Sequence, residues 1–570
     1  MPTAAPETSS EGLFGSKDAA ELVASVREVF RSGRTRSREW RETQLRGIER
    51  LMMDEEEAIF AALAKDLKRS RVENVLCETA QVYNSARQAA SSVRQWMKPE
   101  RVSTNFVNMP ARSEIVPEPF GAVLIFAAWN MPFLLSLDPL IGAIAAGNVA
   151  VLKPSELAPA SSALLAELLP RYVDKEAVRV VQGGADVATA LLECRWDKIF
   201  FTGGAAIGRR VLAAAAQHLT PVALELGGKN PAYIDSSADF NVSRTFFCSD
   251  LWLMMLFRLS RFSLSSSFKS PFFITSSSPL ILSSFNSSPL HPNPPSPLPP
   301  NPPPRANSLT PPFLRVRYIC VKRIAFGMCV NAGQSCLSPD YVLVEEAVAD
   351  QFTDHLRRTL TSFYGSDPKQ SPDLARIATP GSWARLHALL SDPVTKEHIV
   401  AGGETDEATR YIAPTIIRDV PLDAPVMHEE GFGPVIAVIK VRGVDEAISI
   451  IASRPKPLAL YLFTTHSTVI DRFVKETSSG AVCVNDTTSH FVNPALPFGG
   501  VGDSGMGSYH GKHSFDCFSH RKAVMVKGTL LDFPVRYPPG SPFNENLVKA
   551  LMNLWFVQLV LVILGLKSSQ

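Results

Sequence analysis

The sequence predicts an α/β protein built on a doubly wound parallel sheet, and two observations carry the prediction. From Gly121 to Leu226, short apolar runs alternate with helix-forming stretches through brief connections. That alternation is the mark of right-handed β–α–β crossovers in a parallel sheet. Ahead of it, Lys17 to Met97 repeats apolar residues at three- and four-residue spacing, which predicts a helical N-terminal region.

Taken in order, Met1–Ser16 is rich in Ala, Pro, Ser and Thr and reads as a disordered tail with no secretory apolar run. The acidic run Asp54–Glu57 is a solvated helix face. Ala122–Ala127 reads as a strand, Pro132–Ala146 as a helix and Val149–Leu152 as the next strand. Then follow a helix near Pro159–Leu169, a strand Val178–Val181, a helix near Ala185–Cys194, a strand Lys198–Phe201, a helix Ala206–Gln217 and a strand Val222–Leu226. Sheets of this kind take ligands outside the carboxyl ends of their strands. The residues there are therefore the first candidates for chemistry.

Bulk composition narrows the function classes. With 570 residues the chain can hold two or three domains and a large core. A net charge of +2 argues against a broad nucleic-acid surface. The eight cysteines (Cys77, Cys194, Cys248, Cys320, Cys329, Cys336, Cys483 and Cys517) form no CxxC pair and no grouping with His. A reducing compartment and no metal site are expected.

Two segments break the pattern. Arg244–Cys320 is dominated by Ser, Pro, Phe and Leu and has no sustained helix or strand period; a structureless loop of that length argues against its being part of the fold. Because pyrimidine-rich codons specify those four residues, the segment reads as a translated intron or gene-model error, with a lineage-specific loop as the alternative. At the other end, Ala550–Leu566 is almost wholly apolar, follows the proline-broken linker 531–549, and is bracketed by Lys549 and Lys567. It reads as a membrane anchor at the short end of the spanning range, with an amphipathic or core-docked terminal helix as the alternative. Anchored so, the remainder of the chain would lie on the cytosolic side, and the endoplasmic reticulum is the expected membrane.

Three local patterns carry candidate chemistry. Cys336 ends the polar turn Asn331-Ala-Gly-Gln-Ser-Cys336; it is a candidate nucleophile, set against the commoner inert, buried thiol. Glu225 sits between Leu224 and Leu226 at a strand end, where apolar flanks would raise its pKa; the alternative is a satisfied structural carboxylate. Asn130, in Trp129-Asn-Met-Pro-Phe133, follows another strand and is placed either to donate to an oxyanion or merely to cap a helix. The glycine turn Phe201-Thr-Gly-Gly-Ala-Ala-Ile-Gly208 opens a helix after a strand, so its amides and dipole suit a pyrophosphate.

Jointly these patterns resemble the aldehyde dehydrogenase superfamily, most closely its class 3 or fatty aldehyde dehydrogenase branch. Further stretches carry the resemblance: Ala143-Ile-Ala-Ala-Gly-Asn148, Val151-Leu-Lys-Pro-Ser-Glu156, His218-Leu-Thr-Pro221, Leu496-Pro-Phe-Gly-Gly-Val-Gly502 and Ser504-Gly-Met-Gly-Ser-Tyr-His-Gly511. It runs from about Lys17 to Pro539, apart from Arg244–Cys320. The resemblance implies N-terminal helices and a dinucleotide-binding domain over 17–225, a catalytic domain over 226–435 interrupted by 244–320, and the remainder of the catalytic and cofactor region with an oligomerisation arm over 436–530. It implies NAD(P)-dependent oxidation of medium- or long-chain aliphatic aldehydes through a thiohemiacetal and a thioester on Cys336. Asn130 and the Cys336 N–H would hold the oxyanion, and Glu225 would activate water.

On the cofactor side, Gly203, Gly204, Ala205, Ala206, Ile207 and Gly208 match the pyrophosphate turn, with Gly204 standing where the family usually has Ser. Lys153 and Glu156 match the adenosine-ribose positions; a carboxylate there favours NAD, and NADP is the second choice. Glu430 and Phe432 match the nicotinamide-side positions, and Gly431 between them, in place of an aliphatic residue, is expected to loosen the loop. Cys329 reads as packing and His490 as a structural or surface histidine. A homodimer is implied. The competing reading is a membrane-anchored scaffold or binding protein, its catalysis impaired by the segment between Glu225 and Cys336.

Overall fold

A computed structural model describes residues 14–236, 238, 312–529, 532, 534–553 and 555–564. The first 13 residues and all of 244–311 lie outside them. The chain divides into one unit comprising Met1–Ala238 with Tyr318–Gln570 and a second comprising Asp239–Arg317. Of the second unit only the beginning of a helix, Pro312–Cys329, is described. This helix starts inside the stretch read as structureless, and its later residues Cys320 and Val321 are buried in the core of the first unit. Cys320, the last residue of that stretch, therefore belongs to the folded core.

The N-terminal region is helical as expected: Ser16–Arg31, Arg38–Asp54, Glu56–Leu67 and Ala80–Trp96. Ser37 caps the second of these by accepting from the Trp40 N–H at 3.1 Å. Leu45, Ile48, Leu51 and Met52 recur on one face and pack in the same core as Val82, Ala86, Ala89 and Val93 of the fourth, which is the helical period turned into burial.

The first sheet has six strands in the order Val178–Val180, Val149–Lys153, Ala122–Phe126, Lys198–Gly203, Val222–Leu226 and Gly505–Met506. The first five are parallel, so the chain winds outward from Ala122–Phe126, returns, and continues on the other side. Its topological switch lies between Ala122–Phe126 and Lys198–Gly203, where an open α/β sheet forms its ligand crevice. The sixth strand is antiparallel, with Gly505 opposite Glu225.

Helix Leu134–Ala146 is buried along its whole length, which explains its nearly unbroken apolar sequence. Gly147, at φ +90°, ends it in the left-handed conformation, and the buried Arg41 donates to the Ala145 carbonyl at 3.0 Å. Asn148 is fully buried: its Nδ2 donates to the carbonyls of Ala143 and Phe518, and its Oδ1 accepts from the Gly121 N–H. The Ala143–Asn148 motif is thus architectural.

The second sheet has seven strands: Ile399–Ala401, Thr415–Arg418, Val435–Val441, Pro339–Glu345, Asn230–Ile234, Ala459–Phe463 and Ala481–Val484. All its pairs are parallel except the first. It therefore continues into 436–530, the range expected to hold the remainder of the catalytic and cofactor region. A third sheet pairs Ala111–Pro119 with both Glu100–Val102 and Ser519–Lys527.

The apolar tail differs from expectation. Instead of one helix over 550–566, Pro542–Met552 and Phe556–Ile563 are separate helices, the first ending at Asn553. Among the described residues, no helix is long and apolar enough to cross a membrane. Phe543, Met552, Trp555, Val557, Val560 and Ile563 are exposed.

Candidate active site

Cys336 is delivered by an unusual turn. Asn331, Ala332 and Gly333 are successively left-handed, at φ 54°, 52° and 71°, a conformation that costs non-glycine residues energy unless neighbours fix it. Here they do. The Asn331 Nδ2 donates to the carbonyls of Asn130 (2.8 Å) and Gln334 (3.0 Å). The Gln334 side chain donates to the carbonyls of Asn331 and Arg376 and accepts from the Ala378 N–H. Beyond the cysteine, the buried Asn230 donates to the carbonyls of Cys336 (2.7 Å) and Ser338 (3.0 Å), while Tyr461 Oη donates to the Leu337 carbonyl at 2.6 Å. Neither Asn230 nor Tyr461 stood out in the sequence, because each acts only through tertiary contacts.

Three of the predicted residues converge here. Cys336 is half-buried and, with Asn130, lines a cavity of about 300 Å³. Its walls are largely apolar and include Leu76, Met131, Leu135, Phe326, Val330 and Phe491. Glu225 lies close enough to act electrostatically on the thiol. Both Glu225 carboxylate oxygens are buried and no side chain or backbone donor meets them, so burial holds its pKa well above the usual carboxylate range. Burial, reinforced by the charges of Glu430 and Glu225, pushes the Cys336 thiol up to about 12; its own backbone N–H opposes that rise. Asn130 Nδ2 donates to the Gln334 carbonyl at 3.1 Å. A side-chain amide has two N–H groups, so one remains for the cavity.

The cofactor candidates lie around the switch point. Strand Lys198–Gly203 leads through Gly204, the N-cap residue, into helix Ala205–Ala216. Gly204 has no side-chain cap, and a Cβ there would meet nothing within 4 Å. The Ala205 and Ala206 amides open the helix's first turn, where donors lack the intrahelical carbonyls of later turns, whereas the Ile207 N–H already donates to the Gly204 carbonyl at 3.1 Å. Gly208 is buried where a Cβ would come within 2.8 Å of Leu226, so it serves helix-to-strand packing. Lys153 ends a central strand with its Nζ 2.8 Å from Glu156.

The Glu430 carboxylate lies against Gly227, where a Cβ would displace it. Burial and the nearby Asp340 raise its pKa to about 8, against the pull of the Gly228 N–H, Lys229 and Arg385. Phe432 sits at φ +48° with its ring edge-on to Trp129, centroids 5.5 Å apart. Gly431 does not loosen this loop. Its N–H donates to Asp340 at 2.5 Å and its carbonyl accepts from Arg385 at 2.6 Å.

Cys329 is fully buried, as its reading as a packing residue expects. His490 is partly buried between the rings of Tyr461 and Phe498, where burial lowers its pKa to about 4. The Ser504–Gly511 motif covers the Glu225 strand: the Leu226 N–H donates to the Ser504 carbonyl at 3.1 Å, and Gly505 approaches Leu224 too closely for any side chain.

Fold and site together define an α/β protein built on two large, mostly parallel sheets, with a thiol, an amide and a buried carboxyl gathered at strand ends. The profile described as "Aldehyde dehydrogenase family" matches residues 8–247 and 319–524, so its gap falls within the segment 244–320. Aldehyde dehydrogenase family 3 member H1 of Arabidopsis thaliana is 42% identical over 555 residues, 97% of this chain and 99% of that protein. Aldehyde dehydrogenase family 3 member B1 of Bos taurus is 40% identical over 535 residues, 94% and 97% of the two chains. A solved structure of Staphylococcus aureus AldH in a substrate-bound state superposes with a TM-score of 0.77 at 34% identity, covering 94% of this chain and 99% of that one. The chain belongs to the aldehyde dehydrogenase family, and the chemistry of that family is the oxidation of aldehydes.

Proposed function

We propose that the protein oxidises medium- and long-chain aliphatic aldehydes to carboxylic acids, with Cys336 as nucleophile and Glu225 as base. The observation that carries this reading is the apolar cavity with Cys336 and Asn130 in its wall, since an alkyl chain would gain from burial there. The Cys336 thiol adds to the aldehyde carbon, giving a thiohemiacetal whose oxyanion is met by the free Asn130 N–H and the Cys336 N–H. The thiol's proton passes to the ionised form of the nearby Glu225 and from there to solvent, which frees the carboxylate for the second half of the reaction. Once hydride has left the carbon, a thioester remains on Cys336. Glu225 then takes a proton from water, the hydroxide adds to the thioester carbonyl, and the acid departs as the thiol is regenerated.

The crevice residues fit a nicotinamide dinucleotide. The uncapped helix at Gly204 offers donors and open space for a pyrophosphate. Lys153 and Glu156 lie at a central strand's end, and Glu430 keeps one oxygen without a partner. NAD, with NADP as second choice, supplies the hydride acceptor when bound. Gly203 to Gly208 would hold its pyrophosphate, Lys153 and Glu156 its adenosine ribose, and Glu430 and Phe432 its nicotinamide side.

We read the exposed apolar residues of the two tail helices as a membrane-binding surface lying in the lipid interface, with the endoplasmic reticulum as its expected location. The third sheet, with Met525 and Val526 exposed, is read as the arm of a homodimer. The test is NADH absorbance with hexanal and hexadecanal, comparing the protein with Cys336→Ala. Turnover lost in the variant supports the reading; equal turnover removes Cys336 from its role, and none in either protein overturns the reading in favour of a scaffold.

A further inference from the structure

The N-terminal helices carry a charge pair that the reaction scheme leaves unused. Arg69 and Glu78 are both completely buried and joined at 2.6 Å. Arg69 Nε also donates to Asn74 Oδ1 at 2.8 Å, and its Nη1 reaches the Asn130 carbonyl at 3.4 Å. Glu78 uses its other oxygen to accept from the Leu134 N–H at 2.7 Å, and the Phe133 N–H also donates to this carboxylate. The pair thus holds Asn130–Leu134 at both ends. The guanidinium takes the carbonyl at the start, and the carboxylate takes the amides where helix Leu134–Ala146 begins. Asn331 adds a second donor to the same Asn130 carbonyl.

Charge-assisted hydrogen bonds are among the strongest available to a protein, and a buried pair has no water to exchange partners with. Such a clamp fixes the Asn130 peptide, and through it the direction of the Asn130 side-chain amide. We propose that Arg69 and Glu78 are positioning residues that hold Asn130 at the angle its oxyanion contact requires; this rests on the role given to Asn130 above. Glu78 belongs to a π-helical turn, Val75–Thr79, a distortion often found at functional sites. Leu76 and Cys77 of that turn line the aldehyde cavity. One turn therefore supplies part of the cavity wall and half of the clamp.

The test measures kcat and KM for hexanal in the full chain, per Cys336 titrated by alkylation, for Glu78→Gln, Asn130→Ala and the double variant. Glu78→Gln keeps the shape and removes the charge; it should lower kcat by about 10- to 100-fold with little change in the KM for NAD. In the Asn130→Ala background the same substitution should change kcat less than about twofold, since the clamp then has no amide to aim. An equal loss in both backgrounds, or no loss in either, overturns the clamp. Full turnover by Asn130→Ala alone overturns the role of Asn130 itself, a separate outcome. Should Glu78→Gln fail to fold, Arg69→Lys and Arg69→Met decide. Retained kcat in Lys with loss in Met supports the clamp, and equal kcat in both overturns it.

Discussion

Cys336 and Glu225 present a paired problem of protonation. The thiol, pushed up to about 12, is protonated at neutral pH, and burial raises the pKa of the carboxyl well above the usual range, so each must lose its proton before it acts. Alkylation of Cys336 by iodoacetamide in the absence of cofactor should therefore accelerate steadily through the alkaline range; a plateau near pH 8 would contradict the raised pKa. Cys336→Ala should lose oxidation by on the order of 10⁴-fold or more. Glu225→Gln should still form the thioester but hydrolyse it on the order of 10²- to 10⁴-fold more slowly, seen as a burst of NADH followed by a stalled steady state. The carboxyl also bears on stability. Its folded pKa lies above its unfolded value, so the folded state binds the proton more tightly, and stability falls as pH rises from the unfolded pKa through the folded one. Glu225→Gln should accordingly melt higher than the parent at pH 8, and by a smaller margin at pH 4.5.

At the scale of elements, the Gly204 turn is the most informative departure. Its N-cap lacks a side-chain acceptor although there is room for one. Gly204→Ser should stabilise helix Ala205–Ala216 by a few tenths of a kcal/mol and lower the KM for NAD, measured by melting and steady-state kinetics. The nine elements expected between Ala122 and Leu226 are all present, because hydrophobic period and short connections are local properties that survive folding. Cys336, Glu225 and Asn130 were legible for a related reason: each ends a recognisable strand or turn. Asn230, Gln334 and the Arg69–Glu78 clamp were not. The groups they hold lie tens to hundreds of residues away, as Asn130 and Leu134 do from the Arg69–Glu78 pair, and only tertiary packing brings them to the site. The tail was misread as one helix because hydropathy registers apolar length and not the break at Asn553. Gly431 was misread because a missing side chain suggested freedom, whereas its backbone is bonded to Asp340 and Arg385.

For the whole molecule, the point where the 244–320 segment meets the core decides how its removal is to be tested. Cys320 and Val321 pack in the core, so a deletion reaching Cys320 cuts into the fold, whereas removal of 248–318 follows the gap in the family match. The chain lacking 248–318 should turn over hexanal at least as fast as the full chain and unfold in a sharper transition; an inactive product would mean that the segment is needed. Removing residues 541–570 should move the protein from the membrane pellet to the supernatant without altering kcat, and unchanged fractionation would count against the tail as the binding surface.

The antiparallel partner of the Glu225 strand has a consequence for biosynthesis. Gly505 lies opposite Glu225 but is translated 280 residues later. At ~5–20 residues per second the edge of the first sheet waits roughly 14–56 s on the ribosome for its cover. During that interval it is an open template for another nascent chain. The segment between the two halves lengthens the wait, so its first cost to the cell would be in the yield of folded protein, before any cost in catalysis.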